Sequence, residues 1–351
     1  MNIEYICFGS LNGYAIAAKN YILALKHHNL RIHTLDSQHR IDVAGDDLNL
    51  FRKFAKKEED PNAIQIYHCI PPMQRRRKKN KLTIGVATFE TNDPPKHWID
   101  ILNQNAAVIV PSTFCEEIFK KAGVTRPIYL IPHTLDLNKY NTKVTPKQTN
   151  NKFRFLFIGS WKKRKGYEEL LKAWYSTFQN NEHVELVIKT DKPNKAENYV
   201  RKLTNNILIE KQTINENDMP SFIKSFDCLV LPTKGEGFGL PALQGLALGI
   251  PVIVTDYSGC TEFANNDNSF LLKPESIVLK DDMDNIPQFV GRRWAEISVE
   301  QISKVMLYVL GNPEEVKKKA KRFVGERFGL DQVGKKFDEM FSLIPDSKFI
   351  S

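Results

Sequence analysis

Short apolar runs alternate along the chain with longer segments in which apolar side chains recur every three or four positions. The runs predict buried strands and the periodic segments predict helices. Before residue 140 the predicted strands are 3–8, 31–35, 63–68, 82–87, 107–110 and 128–131, and the predicted helices are 14–27, 47–57, 96–103 and 115–122. This alternation is typical of an α/β fold with parallel sheets.

The alternation stops at the polar, proline-containing segment 141–151, which we interpret as a linker, and then starts again. Two α/β domains, 1–147 and 148–330, are therefore predicted, with a ligand cleft between them. We expect a C-terminal helix at 331–351 to cross back to the first domain. Beyond the linker the predicted strands are 153–158, 184–189, 207–209, 228–231 and 251–255, and the predicted helices are 166–178, 219–225, 240–248, 298–311 and 314–341.

The composition is that of a folded globular protein, because 42% of the 351 residues are hydrophobic and 26% are charged. No run approaches the roughly 18 consecutive apolar residues that span a bilayer. The first eight residues predict a strand and lack the basic start of a secretory signal. Five widely spaced cysteines without a C-x-x-C pair indicate reduced thiols rather than disulfides or zinc ligands. We therefore expect a cytoplasmic protein.

Positive charge concentrates in the first predicted domain. The formal net charge is +9, and residues 1–147 hold 21 Lys and Arg against 14 Asp and Glu. The densest run is Arg75–Lys81. It is interpreted either as a solvated loop or as a contact with an anionic surface, such as the inner face of a membrane, a phosphorylated acceptor or nucleic acid. No zinc-finger spacing or RNP-type aromatic signature accompanies the run, so we do not expect a nucleic-acid partner.

The segment 229–255 carries the most informative motif, a strand followed by a glycine-rich turn and a helix that begins near Leu240. Glycines at 235, 237 and 239 let backbone N–H groups approach a ligand, and the start of a helix carries partial positive charge. The turn therefore predicts an anion cradle suited to a diphosphate. Glu236 lies inside this cradle, where we expect it to serve a neutral part of the ligand such as sugar hydroxyls. The alternative is that the glycines serve only packing.

A second informative segment, 155–166, predicts a strand that ends at Gly159, a strongly basic loop, and a helix opened by Gly166. Lysine or arginine from such a loop would neutralise a departing diphosphate. The alternative is a solvated basic turn. The chain contains no G-x-x-x-x-G-K-[ST], H-E-x-x-H or G-x-S-x-G motif, and its glycine-rich turn does not match G-x-G-x-x-G. The common signatures of P-loop NTPases, metalloproteases, α/β-hydrolases and dinucleotide-binding enzymes are therefore missing.

Three segments together resemble the retaining glycosyltransferases of family 4: Glu236–Thr255, Lys165–Gly166, and Pro111–Asp136 with PSTFCEEIFKKAG and IYLIPHTLD. The resemblance implies the GT-B fold, in which two Rossmann-like domains with parallel sheets face each other across a cleft. It implies a nucleotide-sugar donor on the C-terminal domain and an acceptor on the N-terminal domain. It also implies catalysis without a metal ion or a cofactor, the nucleotide sugar being a co-substrate.

The resemblance assigns donor-side roles to two motifs. In the family's E-x7-E motif, Glu236 matches the glutamate that contacts the transferred sugar, and Gln244 replaces the glutamate that holds the ribose. In the family's G-R-x4-K-G motif, Ser160 replaces the arginine while Lys165 is kept, and Arg164 is the candidate substitute for the missing charge. The predicted diphosphate contacts are backbone groups of Phe238, Gly239 and Leu240, next to Gly235 and Gly237.

The resemblance also assigns acceptor-side positions in the N-terminal half. Gly9 and Gly13 match the family's first glycine-rich loop, which faces the cleft, although the usual double glycine is absent. Glu90 stands where many relatives have a histidine near the reacting centre, and we expect it to hydrogen-bond the acceptor. The alternative is that Glu90 caps the turn that follows it. His133 matches an interdomain turn, and a structural role is expected for it.

The implied reaction retains the configuration at the anomeric carbon. The acceptor hydroxyl attacks from the face that the diphosphate leaves, while Lys165, Arg164 and the helix start stabilise the leaving group and Glu236 orients the sugar. Two other functions stay open from the residues. Gln244 and Ser160, at positions that are charged in the family, allow a non-catalytic protein of this fold. The basic run 75–81 allows a module that binds an anionic surface.

Overall fold

The computed structural model describes residues 1–9, 13–35, 46–76, 81–146, 151–201, 203–280, 283–284, 286–323 and 325–344. The chain forms two compact units. The first unit combines Met1–Leu137 with Glu326–Ser351, and the second unit is the continuous segment Asn138–Gly325. Among the described residues, no helix combines the length and the apolar character needed to cross a membrane.

The first unit is built on a parallel six-stranded sheet in the order β2-β1-β3-β4-β5-β6. Its central strands are buried and mostly apolar, as expected for strands covered on both faces, although Glu4, Gln65 and His68 are polar exceptions. The strands are β1 (Asn2–Cys7), β2 (Asn29–Thr34), β3 (Ile64–His68), β4 (Thr83–Val86), β5 (Ala107–Val110) and β6 (Ile128–Leu130), and the helices between them are α1 (Gly13–Ala24), α2 (Asp46–Ala55), α3 (Lys96–Leu102) and α4 (Thr113–Lys121). All ten elements were predicted from the sequence with small shifts at their ends.

The second unit contains another parallel six-stranded sheet, in the order β12-β11-β10-β7-β8-β9. Its strands are β7 (Phe153–Ile158), β8 (Val184–Lys189), β9 (Ile207–Glu210), β10 (Cys228–Leu231), β11 (Val252–Thr255) and β12 (Phe270–Leu272). Its helices are α5 (Tyr167–Phe178), α6 (Pro193–Val200), α7 (Met219–Lys224), α8 (Leu240–Ala247), α9 (Val299–Gly311) and α10 (Pro313–Ala320). The α/β class with parallel sheets in both halves is therefore confirmed.

Four elements of the second unit were not predicted from the sequence: α6, β12 and an antiparallel pair formed by β13 (Ser276–Lys280) and β14 (Arg292–Glu296). The antiparallel pair mixes charged with apolar residues and is largely accessible to solvent, so it lacks the apolar run of a buried strand. α6 has few apolar positions, and β12 has only three residues. Short or polar elements give weak periodic signals.

The prediction of one long helix over 314–341 was wrong. The segment contains α10, a 3₁₀ turn at Glu326–Phe328 and a separate helix α11 (Leu330–Leu343). The break occurs because the Phe328 carbonyl accepts hydrogen bonds from the Leu135 N–H at 2.9 Å and from the Thr134 hydroxyl at 2.6 Å. Gly329 is extended at this point and forms a β-bridge with Leu135. Pairing with the first unit therefore replaces helical hydrogen bonds here.

α11 completes the hydrophobic core of the first unit although it follows the second unit in the sequence. Its buried Val333, Phe337, Met340 and Phe341 join the core formed by the strands and α1. Phe337 meets Tyr21 of α1 edge-on, with ring centroids 5.1 Å apart. At Gly334 the two helices are so close that a Cβ would lie 2.8 Å from the Ala24 carbonyl oxygen. The residue at 334 must therefore lack a side chain for α11 to pack this way.

We predict that Gly334→Ala lowers the free energy of unfolding by about 1–3 kcal/mol, since the methyl group forces α11 away from the backbone of α1. Gly311→Ala is the matched control: it is also a helical glycine, and a Cβ there would meet no atom within 4 Å. That substitution should leave stability unchanged or raise it slightly. Urea unfolding of both variants checks this, and equal midpoints would contradict the close packing at 334.

Candidate functional site

The residues with predicted chemistry meet at the carboxyl edge of the second sheet. β7 and β10 are neighbours in this sheet, paired through Phe155 with Cys228 and Leu156 with Leu229, although some 70 residues separate them in the chain. The strand order reverses its direction at this pair. Ligands of open α/β sheets bind outside the carboxyl ends of the strands at such a reversal point. The basic loop follows β7 and the glycine-rich turn follows β10, so both lie here.

Glu236 is the centre of this site. Its carboxylate forms an ion pair with the ammonium of Lys165 and a second one with Arg164, whose Nη1 lies 3.3 Å from Oε2. The Thr233 hydroxyl donates to Oε1 at 3.1 Å. The Glu236 N–H donates to the Ser258 hydroxyl oxygen at 2.9 Å. Side chain and backbone are therefore both held in place.

The charges around Glu236 determine its ionisation. Burial alone would raise its pKa, but Lys165 and Arg164 outweigh that effect, so the pKa lies below its ordinary value. The side chains of Glu236 and Lys165 are 12% and 17% exposed. Glu236 is consequently a carboxylate at neutral pH, held next to two cations in a partly dehydrated environment.

The basic loop is fixed from several directions. A 3₁₀ turn covers Lys163–Lys165, and Asp284 accepts hydrogen bonds from the backbone N–H groups of Lys163 and Arg164. The Arg164 carbonyl accepts from the Lys234 N–H at 2.7 Å, and Arg164 Nη1 donates to the Gly235 carbonyl at 3.1 Å. Arg164 is thus buried between the loop and the glycine-rich turn and joins one to the other.

The glycine-rich turn ends in the N-terminus of α8. Gly239 precedes the helix with φ of +100°, in the left-handed region, and a Cβ there would lie 2.6 Å from the Cys260 sulfur. Only glycine fits both constraints. Phe238 is buried against Phe263, with ring centroids 5.2 Å apart. A small pocket of about 20 Å³ lies in front of the helix start, and its lining includes Lys165, Thr233, Glu236, Gly239 and Cys260.

The remaining donor-side positions lie on the same elements. Gln244 belongs to α8, and its Nε2 donates to the Tyr140 hydroxyl at 3.2 Å. Tyr140 is buried, so this contact sets the orientation of the amide. Ser160 is half-buried directly after β7, and its carbonyl accepts from the Lys162 N–H at 2.8 Å. Gly235 and Gly237 are buried within the turn.

The predicted acceptor-side residues lie in the first unit. Gly9 follows β1, Gly13 opens α1, and Glu90 follows β4. The Tyr14 hydroxyl donates to the Thr88 carbonyl at 3.3 Å, which joins the start of α1 to the segment that carries Glu90. Glu90 is half-buried. Residues 10–12 of the predicted loop lie outside the described residues.

Sequence reasoning missed a buried polar cluster at the carboxyl edge of the first sheet. The Tyr5 hydroxyl oxygen and His68 Nδ1 are hydrogen-bonded at 2.7 Å, and His133 Nδ1 lies 3.2 Å from the Tyr21 hydroxyl oxygen. The two imidazoles stack with centroids 5.9 Å apart. Burial lowers the pKa of His133 to about 3, and burial together with His133 lowers that of His68. Both imidazoles are therefore neutral at pH 7.

The basic run 75–81 is only partly described. Residues 77–80 lie outside the described residues, and a 3₁₀ helix spans Pro71–Arg76. The Lys81 ammonium lies 3.0 Å from a Glu59 oxygen and 3.4 Å from a Glu4 oxygen. At least this end of the run is therefore neutralised within the protein.

Thr233, Ser258 and Asp284 support the site but were not predicted from the sequence. Thr233 lies two residues before Gly235. This position next to the glycine-rich turn is the feature of the sequence that could have indicated its role. Ser258 and Asp284 lie 22 and 48 residues beyond Glu236 and belong to no motif. Their contacts with the site depend on the fold alone.

The part of the chain that holds this site is similar to known proteins. Residues 152–280, which include the basic loop and the glycine-rich turn, match the family model described as Glycosyl transferases group 1. A putative glycosyltransferase of the Sulfolobus islandicus filamentous virus is 27% identical over 169 residues, 47% of this chain and 46% of that protein. The capsular polysaccharide biosynthesis glycosyltransferase CapM of Staphylococcus aureus is 28% identical over 157 residues, 43% of this chain and 40% of that protein. These matches cover about half the length of each relative.

The overall fold has close counterparts among solved structures. HepE of Anabaena, crystallised in complex with UDP, superposes with a TM-score of 0.69 at 12% identity, over 97% of this chain and 100% of that one. The fold, with a parallel six-stranded sheet in each unit, is that of the GT-B glycosyltransferases.

We predict that Lys165→Met lowers the free energy of unfolding at pH 7 by roughly 1–3 kcal/mol, because the Glu236 carboxylate loses a cation that offsets its burial. In the wild type the lowered pKa of Glu236 contributes stability that is present above the ordinary carboxyl pKa and is lost as the pH falls through the folded pKa. The difference between the two proteins should therefore shrink as the pH falls below the ordinary carboxyl pKa and through the lowered folded pKa.

Urea unfolding at several pH values measures this difference. Lys162→Met is the control, since Lys162 belongs to the same basic loop and is not among the residues bound to Glu236. A stability difference for Lys165→Met that stays constant across this pH range would contradict the coupling to Glu236.

Proposed function

We propose that this protein is a glycosyltransferase that takes a sugar from a nucleoside-diphosphate donor bound to the second unit and transfers it to an acceptor hydroxyl. The observation that carries the proposal is the meeting of Glu236, Lys165 and the start of α8 at the reversal point of the second sheet. A cation and a helix N-terminus suit a diphosphate, and a carboxylate beside them suits sugar hydroxyls. The match of residues 152–280 to group 1 glycosyl transferases supports the same assignment.

In the proposed donor complex, the backbone N–H groups at Phe238, Gly239 and Leu240 bind the diphosphate together with Lys165. Lys165 is paired with Glu236 in the free protein. A bound diphosphate would share its ammonium, and the Glu236 carboxylate would accept hydrogen bonds from the transferred sugar. Arg164 acts mainly through Glu236 and Gly235, because it is buried between the two loops. HepE has been crystallised with UDP and with UDP-glucose, which supports a uridine nucleotide as the first donor to test.

Gln244 is proposed to bind the donor ribose. Its Nε2 donates to the Tyr140 hydroxyl, and an amide oxygen can accept from a ribose hydroxyl. Ser160, after β7, is proposed to lie near the phosphates in place of the arginine of the family 4 motif. Relative to the family 4 motifs, Gln244 removes a negative charge and Ser160 removes a positive charge from the donor site. Lys165 is therefore proposed to supply a larger share of the positive charge that binds the diphosphate.

The reaction is proposed to retain the anomeric configuration, as in family 4. The acceptor hydroxyl attacks the anomeric carbon from the face that the diphosphate leaves, and a phosphate oxygen takes the hydroxyl proton. The C–O bond to the diphosphate breaks while the new glycosidic bond forms. Lys165 and the start of α8 stabilise the negative charge on the diphosphate, a role for which no metal ion is needed. Glu90, with Gly9 and Gly13 of the first unit, is proposed to bind the acceptor.

We expect purified protein to release nucleotide from one member of a panel of UDP-, GDP-, ADP- and dTDP-sugars. Lys165→Ala should reduce turnover by about 10²–10³-fold, because it removes the main cation at the leaving group, and Glu236→Ala should abolish most of it. Lys162→Ala, in the same loop, should retain wild-type turnover. Nucleotide release that survives both Lys165→Ala and Glu236→Ala would place the chemistry elsewhere.

Gln244→Glu distinguishes this enzyme from a non-catalytic protein of the same fold. If Gln244 already binds the ribose, Gln244→Glu changes the donor KM and leaves kcat nearly unchanged. Tyr140→Phe should then raise the donor KM, also with little change in kcat, because the Gln244 amide loses the hydroxyl that orients it. If the wild type shows no activity and Gln244→Glu is active, the protein would instead be a non-catalytic one whose activity was lost when glutamine replaced glutamate at this position. Steady-state kinetics with the donor found above separates the two outcomes.

A further inference from the structure

His27, His28 and Asp338 form a compact cluster on the first unit. The two histidines follow α1 in the sequence, and Asp338 belongs to α11. His28 Nε2 lies 2.8 Å from Asp338 Oδ1, and His27 Nε2 lies 3.2 Å from both carboxylate oxygens. One ligand atom of each residue, three atoms in all, lies within 4.8 Å of the other two. Two imidazole nitrogens and a carboxylate oxygen therefore lie close together on the surface of the first unit.

We propose that His27, His28 and Asp338 bind a divalent transition metal ion of the zinc type. Zinc sites use imidazole and carboxylate ligands in a tetrahedral arrangement, and bonds of about 2.1 Å then put neighbouring ligand atoms about 3.4 Å apart. The observed separations of 2.8 and 3.2 Å between imidazole nitrogens and carboxylate oxygens need only small side-chain shifts to match this geometry. The fourth position is left to water.

The ligand chemistry selects the class of metal. Imidazole nitrogen suits zinc, nickel and copper ions, whereas magnesium and calcium require six or more oxygen ligands. Three protein ligands with two nitrogens among them do not meet that requirement. We therefore expect zinc binding and no magnesium binding at this cluster.

The cluster is accessible from solvent. The side chains of His27 and Asp338 are 48% and 45% exposed, so an ion reaches the cluster from solvent. The rings of His27 and His28 lie 4.1 Å apart between centroids, and both Nε2 atoms contact the Asp338 carboxylate.

The proposed ion would join two helices that are about 310 residues apart in the chain. α11 already packs on α1 through Phe337 and Gly334, and His28 meets Phe341 edge-on with centroids 5.6 Å apart. An ion bound only in the docked arrangement adds its binding free energy to the docking of α11. The site would therefore act as a metal clip that holds the returning helix. All three ligands belong to the first unit, and the proposal does not depend on the proposed function.

Isothermal titration of the full chain, stripped of metal with a chelator and then dialysed, tests the proposal. We expect one Zn²⁺ to bind per chain and to raise the Tm by several degrees at saturation, while Mg²⁺ does neither. The five cysteines are buried in the folded protein, so they do not compete as zinc ligands there. The absence of saturable Zn²⁺ binding would overturn the proposal.

Single substitutions locate the site. Asp338→Asn and His28→Gln should each weaken Zn²⁺ binding by at least about 10-fold, whereas His97→Gln, at an exposed histidine of α3, should bind as the wild type does. Zn²⁺ binding that is unchanged in both Asp338→Asn and His28→Gln would assign the ion to another site and reject the clip.

A purely structural His–Asp contact is distinguished by the Tm increment that Zn²⁺ causes. Each variant is melted with and without Zn²⁺, so a general loss of stability cancels in the difference. Loss of this increment in Asp338→Asn supports the metal clip. A full increment in that variant, with a lower Tm in both conditions, would show that Asp338 serves only helix packing.

Discussion

The ion pairs of the Glu236 carboxylate with Lys165 and Arg164 are the interactions on which the arrangement of the second unit's site depends. A carboxylate removed from water is costly unless cations and hydrogen-bond donors surround it. Here they come from two segments: the basic loop after β7 supplies both cations, and Thr233 before the glycine-rich turn donates a hydrogen bond. The Glu236 N–H in turn donates to the hydroxyl of Ser258, after β11. The contacts of one residue therefore join three segments at this edge of the sheet.

The site also requires that the basic loop be held in position. Aspartates that do not line the pocket in front of α8 hold it. Asp284 accepts from two consecutive N–H groups of the loop, and Asp191 accepts from the Trp161 N–H at 2.8 Å. The cationic side chains are thus presented by a backbone that is itself hydrogen-bonded. Such preorganisation lets a cation stabilise developing charge without first reordering the loop.

The fold could be predicted largely from the sequence, because most strands are dominated by apolar residues and most long helices have an apolar period. The antiparallel pair β13–β14 could not, since its charged residues and exposed faces give no such run. Within the site, Lys165 and Glu236 were found because glycines mark the loops around them. Tyr140, Ser258 and Asp284 were missed, since their contacts join segments that are distant in sequence and follow no local pattern. The break before α11 was missed for the same reason, because it depends on pairing with residues 134–135.

The return of α11 to the first unit has a consequence for synthesis on the ribosome. The second unit is one continuous segment, so it can fold as soon as it emerges. The first unit, although its strands emerge earlier, lacks Val333, Phe337 and Met340 until translation has passed through the whole second unit. During that interval the face of α1 that receives α11 is uncovered. Nascent chains therefore expose an apolar surface in their N-terminal part, the kind of surface that chaperones protect.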